Sequence, residues 1–328
     1  MEIRKIQLTG KSTYIVSLPK KWVEKYKIKK NDSVSLTLQK DGRLVIVPKE
    51  KEIETKEINV DNLNDGTLLF RILVSTYVNG YSNIILKSEK EISPFIRERA
   101  IKFTRKVIGM EITDEDEKTI TIKYLFDPKE MPLDNTINRM FSLTKAMHES
   151  AILSLKNKDK NIAENTIKMD KDIDRAHWFV FRQFNTLLKN SFFSEKINLT
   201  YQEGMYYFLI SRLIERIADH AVKIAENSIP IINENIDKEI INIISSQSEI
   251  SMKIFDDAFE AWKKKDINLA NKNINSINEF VSQCEKINEE IAKKQISSII
   301  HITNIVESIR RTGEYSADIS EVVMNSLF

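Results

Sequence analysis

A single cysteine, Cys284, stands among 328 residues. It can close no intramolecular disulfide and cannot build a cysteine-rich zinc site. No apolar run reaches the ~20 residues that a membrane-spanning helix needs. The opening MEIRKIQLTG lacks the apolar segment of a secretory signal. The expectation is a cytoplasmic chain with no stable membrane insertion. Glycine and proline are also scarce, at seven and six residues, and they are unevenly placed. Beyond residue 133 only Gly204, Gly313 and Pro230 remain. Turns draw on these two residue types and helix interiors exclude them. The first 133 residues should therefore mix strands with helices, and the rest should be almost wholly helical. The length leaves room for two or three domains, and an apolar content of 41% can fill their cores.

Charge is close to balanced overall, at +2, but not locally. Residues 1–50 carry twelve Lys/Arg against five Asp/Glu, while residues 51–328 carry 38 against 43. A basic module heading an acidic body suggests a polyanionic partner at the N-terminus. A lysine-rich composition by itself could leave the same excess.

Residues 1–50 follow the order strand, turn, strand, helix, strand, turn, strand. Ile3–Leu8 ends at Thr9-Gly10, and Thr13–Leu18 is β-branched and alternating. Pro19 presets φ for a first helical position, so a short helix over about 19–27 follows. Ser33–Gln39 and Arg43–Val47 are strands joined through Asp41-Gly42, a favoured hairpin pair. So few residues in thin strands make a weak core, which predicts dimerisation.

This stretch resembles the AbrB family of swapped-hairpin DNA-binding domains. The resemblance runs through Gly10-Lys11, Ile15-Val16-Ser17-Leu18-Pro19, the segment from Ile28 to Val34, and Asp41-Gly42. Asn31 stands where the family usually has glycine, and asparagine also tolerates the left-handed conformation. The resemblance implies an intertwined homodimer that lays Arg4, Lys5, Lys11, Lys20 and Lys21 on DNA. Lysines chiefly contact phosphate and position a domain without choosing sequence. Lys27, Lys29, Lys30 and Lys40 read as a solvated rim. The same fold also serves purely as a dimer clasp.

Residues 51–133 begin with a charged linker, Lys51–Lys56. A short strand at Glu57–Val60, a helix at Leu68–Tyr77 stopped by Asn79-Gly80, and a strand at Asn83–Leu86 follow. Ser93-Pro94 opens a helix through Val107 with Gly109 as its C-terminal signal. Glu111–Asp114 and Thr119–Tyr124 are two further strands. This βαβαββ order suggests a small α/β domain with a linking role. Ser93, Arg97 and Arg99 read as a helix cap and solvated arginines, and no phosphate loop or nucleophile arrangement is visible.

The helical part repeats itself. Ala151–Ile167 aligns with Ala258–Ile274 at an offset of 107, and Ile214–Glu226 with Ile309–Glu321 at an offset of 95. Two three-helix units result, with helices near 136–156, 160–188 and 203–228, then 237–264, 267–293 and 295–327. Asn190–Gln202 reads as a loop. The expected fold is multidomain α+β: a swapped-hairpin module (1–50), a small α/β domain (51–133), and tandem three-helix bundles (134–230 and 231–328) forming two lobes about an internal pseudo-twofold.

The first repeat carries Asp170-x-x-x-Asp174 and Glu215-x-x-x-Asp219. Spacing of four puts both carboxylates on one helix face, where like charges repel by roughly 0.2–0.5 kcal/mol per pair. A bound hard cation could offset that; so could Arg212, Arg216 and Lys223 on the same helix. The stretch from Leu213 to Glu226, LIERIADHAVKIAE, resembles PhoU, a family of phosphate-signalling regulators built from two three-helix repeats. The whole chain resembles the archaeal-type form of that regulator, with an AbrB head. The resemblance implies a metal, Fe, Mn, Mg or Zn, at Glu215 and Asp219 with Asp170 and Asp174 as partners. It also implies a phosphate ABC transporter ATPase or an associated sensor kinase as signalling partner. The second repeat departs from the pattern: Arg310 replaces Glu215, Glu314 replaces Asp219, and Ile277 and Val281 replace Asp170 and Asp174. Glu314-x-x-x-Asp318 is a weaker pair one turn later.

His148 and His220 lie near the acidic positions, as metal ligands or as buried hydrogen-bonded histidines. His177 and His301 belong to no constellation. Trp178, Phe179, Phe181 and Phe184 suit packing, and Cys284 suits a small apolar residue, since no histidine partners it. The expected function is a dimeric, non-enzymatic regulator of phosphate uptake or phosphate-responsive transcription. The alternatives are a transporter regulator whose head is only a clasp and, with no positioned base or nucleophile to support it, a metal-dependent hydrolase.

Overall fold

The computed structural model describes residues 2–38, 42–48, 54–234, 236–293 and 298–328. Gln39, Lys40 and Asp41 of the expected hairpin, Lys51 to Ile53 of the expected linker, and the 295–297 start of the expected last helix lie outside the described residues. The chain divides into two compact units, Met1–Glu52 and Ile53–Phe328.

In the first unit β1 (Gln7–Thr9) and β2 (Thr13–Ile15) pair antiparallel around Gly10, which needs its φ of +67° to turn the chain. Helix α1 (Lys20–Lys25) starts directly after Pro19. Strands β3 (Val34–Leu38) and β4 (Leu44–Pro48) pair from Val34–Pro48 to Leu38–Leu44. Asn31 takes φ +72°, the conformation for which asparagine substitutes for glycine. The first two strands are shorter than the alternation suggested. Each hairpin is a two-stranded ribbon, and such ribbons hold few residues without a covering layer. Among the described residues of this unit only Thr37 is buried, while Ile3, Leu8, Tyr14, Leu36 and Leu38 are more than half exposed.

The second unit opens with the expected α/β order: β5 (Thr55–Asn59), α2 (Gly66–Val78), β6 (Asn83–Lys87), α3 (Pro94–Lys106), β7 (Met110–Glu115) and β8 (Thr119–Tyr124). The sheet order is β5-β6-β8-β7, with only β5 and β6 parallel. Asp65 caps α2 through the amides of Thr67 and Leu68, and Ser93 caps α3 through that of Ile96. Leu69, Leu73, Tyr77, Ile84, Phe103 and Ile122 fill the core between helices and sheet. Arg97 and Arg99 are not simply solvated. Arg97 pairs with Glu115 and donates to the Asp116 carbonyl at 3.1 Å, while Arg99 lies 5.2 Å from the Phe95 ring centroid.

Helices α4 (Leu133–Asn157), α5 (Lys160–Lys189) and α7 (Tyr201–Ile231) form the first repeat, and α8 (Lys238–Lys264), α9 (Ile267–Lys293) and α10 (Ile299–Asn325) the second. The joints repeat as closely as the helices. Lys158 and Lys265 both end their helix at left-handed φ, near +55°, and Asp159 and Asp266 then cap the next one. Two expectations are corrected. The segment read as a loop contains a short helix, α6 (Ser191–Ile197), held because Phe193 is buried and Ser194 Oγ donates to the Leu199 carbonyl at 2.5 Å. The repeats are also not lobes with private cores. One core joins Ile173, Phe179, Ile214 and Ile217 to Phe255 and Phe259 of α8, and the other joins Ala151, Leu155 and Ile224 to Ile305 and Ile309 of α10. Phe141 stacks on Phe259 across the join at 3.8 Å. Burying apolar faces of both repeats against each other removes more surface from water than either could alone.

Candidate functional site

Helices α5 and α7 pack along their length and set the four carboxylates of the first repeat facing one another. The Thr200–Glu203 capping box starts α7 and satisfies amides of its first turn. Burial, then Asp170 and Asp219, raises Asp174 to about 6. Burial, then Asp219, raises Glu215 to about 7, although Arg212 Nη1 donates to both of its oxygens at 3.1 and 3.2 Å. Burial, then Asp219 and Glu226, raises Asp170. Burial raises Asp219 too, against Lys223, Arg212 and Arg216. This is a face of half-dried like charges, under-compensated by its own cations. Asp170 Oδ1 is buried without a hydrogen-bond partner.

Oxygen-only donors suit hard cations and disfavour zinc, which prefers nitrogen and sulfur. Among the described residues, however, no three His, Cys, Asp or Glu side chains converge closely enough to hold a metal ion as they stand. A cation on this face would have to draw the facing pairs together.

The second repeat solves the same repulsion with arginine. Arg310 pairs with Glu307 at 2.6 Å and Glu314 at 2.5 Å, and Arg311 pairs with them at 3.0 and 3.1 Å. Glu307 is lowered by these contacts, Arg310 foremost. Asp318 is raised by burial and by Glu321 and Glu314. Glu314 and Asp318 therefore do not form a second open acidic face.

The histidines separate clearly. His148 is fully buried, bonded through Nε2 to Ser248 Oγ at 2.9 Å, and burial lowers it to about 3. His177 bonds Ser211 Oγ at 3.0 Å and stacks on Phe181 and Phe208. His301 bonds Asn227 at 3.0 Å. His220 packs on Tyr315 with Nδ1 unpartnered, and burial, then Lys223 and Arg311, lowers it to about 4. Cys284 is buried and its thiol is pushed up to about 12, as an apolar filler. Trp178 and Phe181 pack on the α/β core, and Phe179 in the bundle core.

In the basic head, Arg4, Lys5, Lys11, Lys20 and Lys21 are all exposed. Arg4 pairs with Glu2, and Lys20 lies 3.7 Å from Glu24. Lys20 and Lys21 stand in the first turn of α1.

Two contributors were not anticipated. Glu226, seven residues after Asp219, extends the acidic stripe by two turns and was readable from spacing. Lys106, which lowers Asp174, comes from α3 and left no signal in the sequence, since only tertiary packing brings it there.

The chain matches the sequence model of the PhoU domain over residues 137–228 and 244–323, more than half its length. Residues 7–54 match that of the antidote-toxin recognition MazE, bacterial antitoxin. It is 22% identical over 206 residues to the phosphate-specific transport system accessory protein PhoU homolog 1 of Thermotoga maritima, covering 58% of this chain and 84% of that protein. It is 27% identical over 103 residues to the corresponding Xylella fastidiosa homolog, covering 31% of this chain and 40% of that protein. The fold resembles the solved PhoU of Pseudomonas aeruginosa (TM-score 0.52, 19% identity, 60% of this chain and 95% of that one). It equally resembles the phosphate transport system regulatory protein PhoU of Streptococcus pneumoniae (0.52, 18%, 60% and 93%). The two matched PhoU segments coincide with the two three-helix units, so the chain belongs to the PhoU family, with a MazE/AbrB-like domain at its N-terminus.

Proposed function

We propose that this protein is a cytoplasmic, non-enzymatic regulator of phosphate transport or of phosphate-responsive transcription, working as a homodimer. The observation that carries the reading is the union in one chain of a tandem PhoU body with a basic MazE/AbrB-like head. The exposed Ile3, Leu8, Tyr14, Leu36 and Leu38 support the dimer, because a second head would cover apolar surface that one copy leaves in water. Arg4, Lys5, Lys11, Lys20 and Lys21 would then lie on DNA phosphates from both copies. On the body, Asp170, Asp174, Glu215 and Asp219 would hold a hard cation such as Mg, Mn or Fe, which would relieve their mutual repulsion and tie α5 to α7. The signal would come from a phosphate ABC transporter ATPase or an associated sensor kinase.

Genome-wide DNA occupancy at high and low phosphate tests this. Occupancy that shifts with phosphate at promoters supports the transcriptional reading. Its absence at both phosphate levels, with the chain co-purifying with the transporter, selects a second reading. In that one the head is only a clasp, which the same exposed apolar residues also favour.

A further inference from the structure

Helix α7 also packs against α10, and between them lies a groove of about 580 Å³. Contacts run from Arg216 against Tyr315 to Asn227 against His301, so the two helices cross antiparallel. Under the repeat offset of 95, Arg216 corresponds to Arg311 and His220 to Tyr315. The antiparallel crossing sets Arg216 5.9 Å from the Tyr315 ring centroid and puts Arg311 among the charges acting on His220. The equivalent arginines of the two repeats thus each act across the groove on the opposite helix, Arg216 by its place near the Tyr315 ring and Arg311 by its charge on His220. Both arginines line the groove, and Lys223 adds a third cation.

Arg311 spends Nε on Glu307 at 3.0 Å and Nη1 on Glu314 at 3.1 Å, and its Nη2 makes no hydrogen bond among the described residues. The other two cations are less well matched by acids. The side chains of Arg216 and Lys223 make no ion pair within 4.0 Å and no hydrogen bond among the described residues, in a chain with 48 carboxylates to offer. Of the two carboxylates that line the groove, Glu307 is taken by Arg310 and Arg311, while Asp219 is attracted by Lys223 and Arg216 but also acts on Asp174 and Glu215, so it offsets the groove cations only in part. His220, only 9% exposed, leaves Nδ1 without a partner. Asn304 Nδ2 donates to Asn227 Oδ1 at 3.2 Å, which places polar side chains of both helices at one end of the groove.

We propose that the α7–α10 groove binds a phosphate oxyanion, as inorganic phosphate or a small phosphate ester, between Arg216 and Arg311 with Lys223 as the third charge. Planar guanidinium forks match the oxygen pairs of a tetrahedral oxyanion, and two of them approaching from opposite sides suit its geometry. The groove is larger than one phosphate and leaves room for the organic part of an ester. The proposal deepens the regulatory reading, on which it rests for the choice of phosphate chemistry. An anion held there would bridge the two repeats on the helix that also carries Glu215 and Asp219.

Isothermal titration calorimetry of the full chain in chelator, with inorganic phosphate and with glycerol 3-phosphate, tests the groove apart from any metal. Saturable binding is expected, and the tighter ligand identifies the source. Arg216→Gln and Arg311→Gln should each weaken it by about tenfold or more. Lys223→Gln, at an exposed side chain that makes no ion pair or hydrogen bond, should leave the helix folded and weaken binding several-fold. Lys156→Gln, an equal loss of charge on the surface of α4, should leave it unchanged. No binding of either ligand up to about 10 mM, or an affinity untouched by all three groove substitutions, overturns the proposal. DNA occupancy and transporter association read the regulatory function separately, so its failure and this one cannot be confused.

Discussion

Single residues with no side chain, or with an unusual φ, show how tightly this body is specified. Gly313 sits in mid-α10 although glycine weakens helices by about 1 kcal/mol relative to alanine. The reason is close approach: a β-carbon there would run into the buried Phe280 ring of α9. Gly313→Ala should therefore destabilise the fold despite the better helix former. Overpacking of this kind costs about 1–3 kcal/mol, so the net loss in urea unfolding is expected near 1 kcal/mol. Phe280→Leu in the same chain should recover part of it, since neighbours that share a clash are not additive. The scarcity of glycine after residue 133 made Gly313 conspicuous, but its cause lies in a side chain 33 positions away and could not be read from the sequence. Asn31 is the opposite case. Its left-handed conformation was legible from the turn chemistry alone, because that preference is local.

At the scale of elements, α5 does two jobs. One end locks the α/β domain: Arg182 donates to the carbonyls of Tyr77 and Tyr81 at 2.7 and 2.9 Å and lies against the Tyr124 ring at 4.0 Å. Asn185 and Lys189 reach the carbonyls of Val78 and Asn79 at 2.7 and 2.6 Å, so α5 satisfies the open C-terminus of α2. Arg182→Ala should cost about 2–4 kcal/mol, since it strands buried carbonyls. Arg182→Lys should recover little, because an ammonium cannot both fork and stack. Hydrogen exchange at α2 and β6 would report the loosened joint. The middle of α5 carries Asp170 and Asp174 against α7. Asp174 and Glu215 hold protons more tightly folded than unfolded, so their contribution to stability is present at low pH and is lost as pH rises through about 6 and 7. The buried histidines shift in the opposite sense and obscure this in the native chain alone. They cancel in a comparison. Glu215→Gln should gain melting temperature relative to the native chain as pH goes from about 5 to 8, and added Mn²⁺ or Mg²⁺ should erase that gain by stabilising only the native carboxylates. A difference that stays flat with pH and metal would remove the cation reading. The carboxylate spacing was legible because i,i+4 is a property of one helix. That α5 and α7 would face each other followed from the family resemblance, whereas Lys106 and the Arg182 lock depend on which surfaces meet.

At the scale of the molecule, the division into a strand-rich head, a small α/β domain and a duplicated helical body was written in composition, because turns need glycine and helices reject it. The sharing of cores between repeats was not, since periodicity shows that a face is apolar but not what covers it. The head presents the same problem in a form that experiment can resolve. Its exposed apolar residues call for a second copy, and its lysines for phosphate, yet one surface pattern fits a clasp and a clamp alike. Salt separates them. Binding through counterion release weakens linearly on a logarithmic salt scale, by about 0.9 per phosphate contact. In a dimer each lysine counts twice, so Lys21→Ala should lower the slope by about 1.8 and weaken all DNA sequences alike. Lys29→Ala, on the expected rim, should leave the slope where it was. Fluorescence anisotropy on promoter fragments across a salt series reads both. Equal slopes for the native chain and Lys21→Ala would move that lysine to the rim. Binding that ignores salt altogether would leave the head as a clasp, and the regulatory output of the molecule would then pass through its helical body alone.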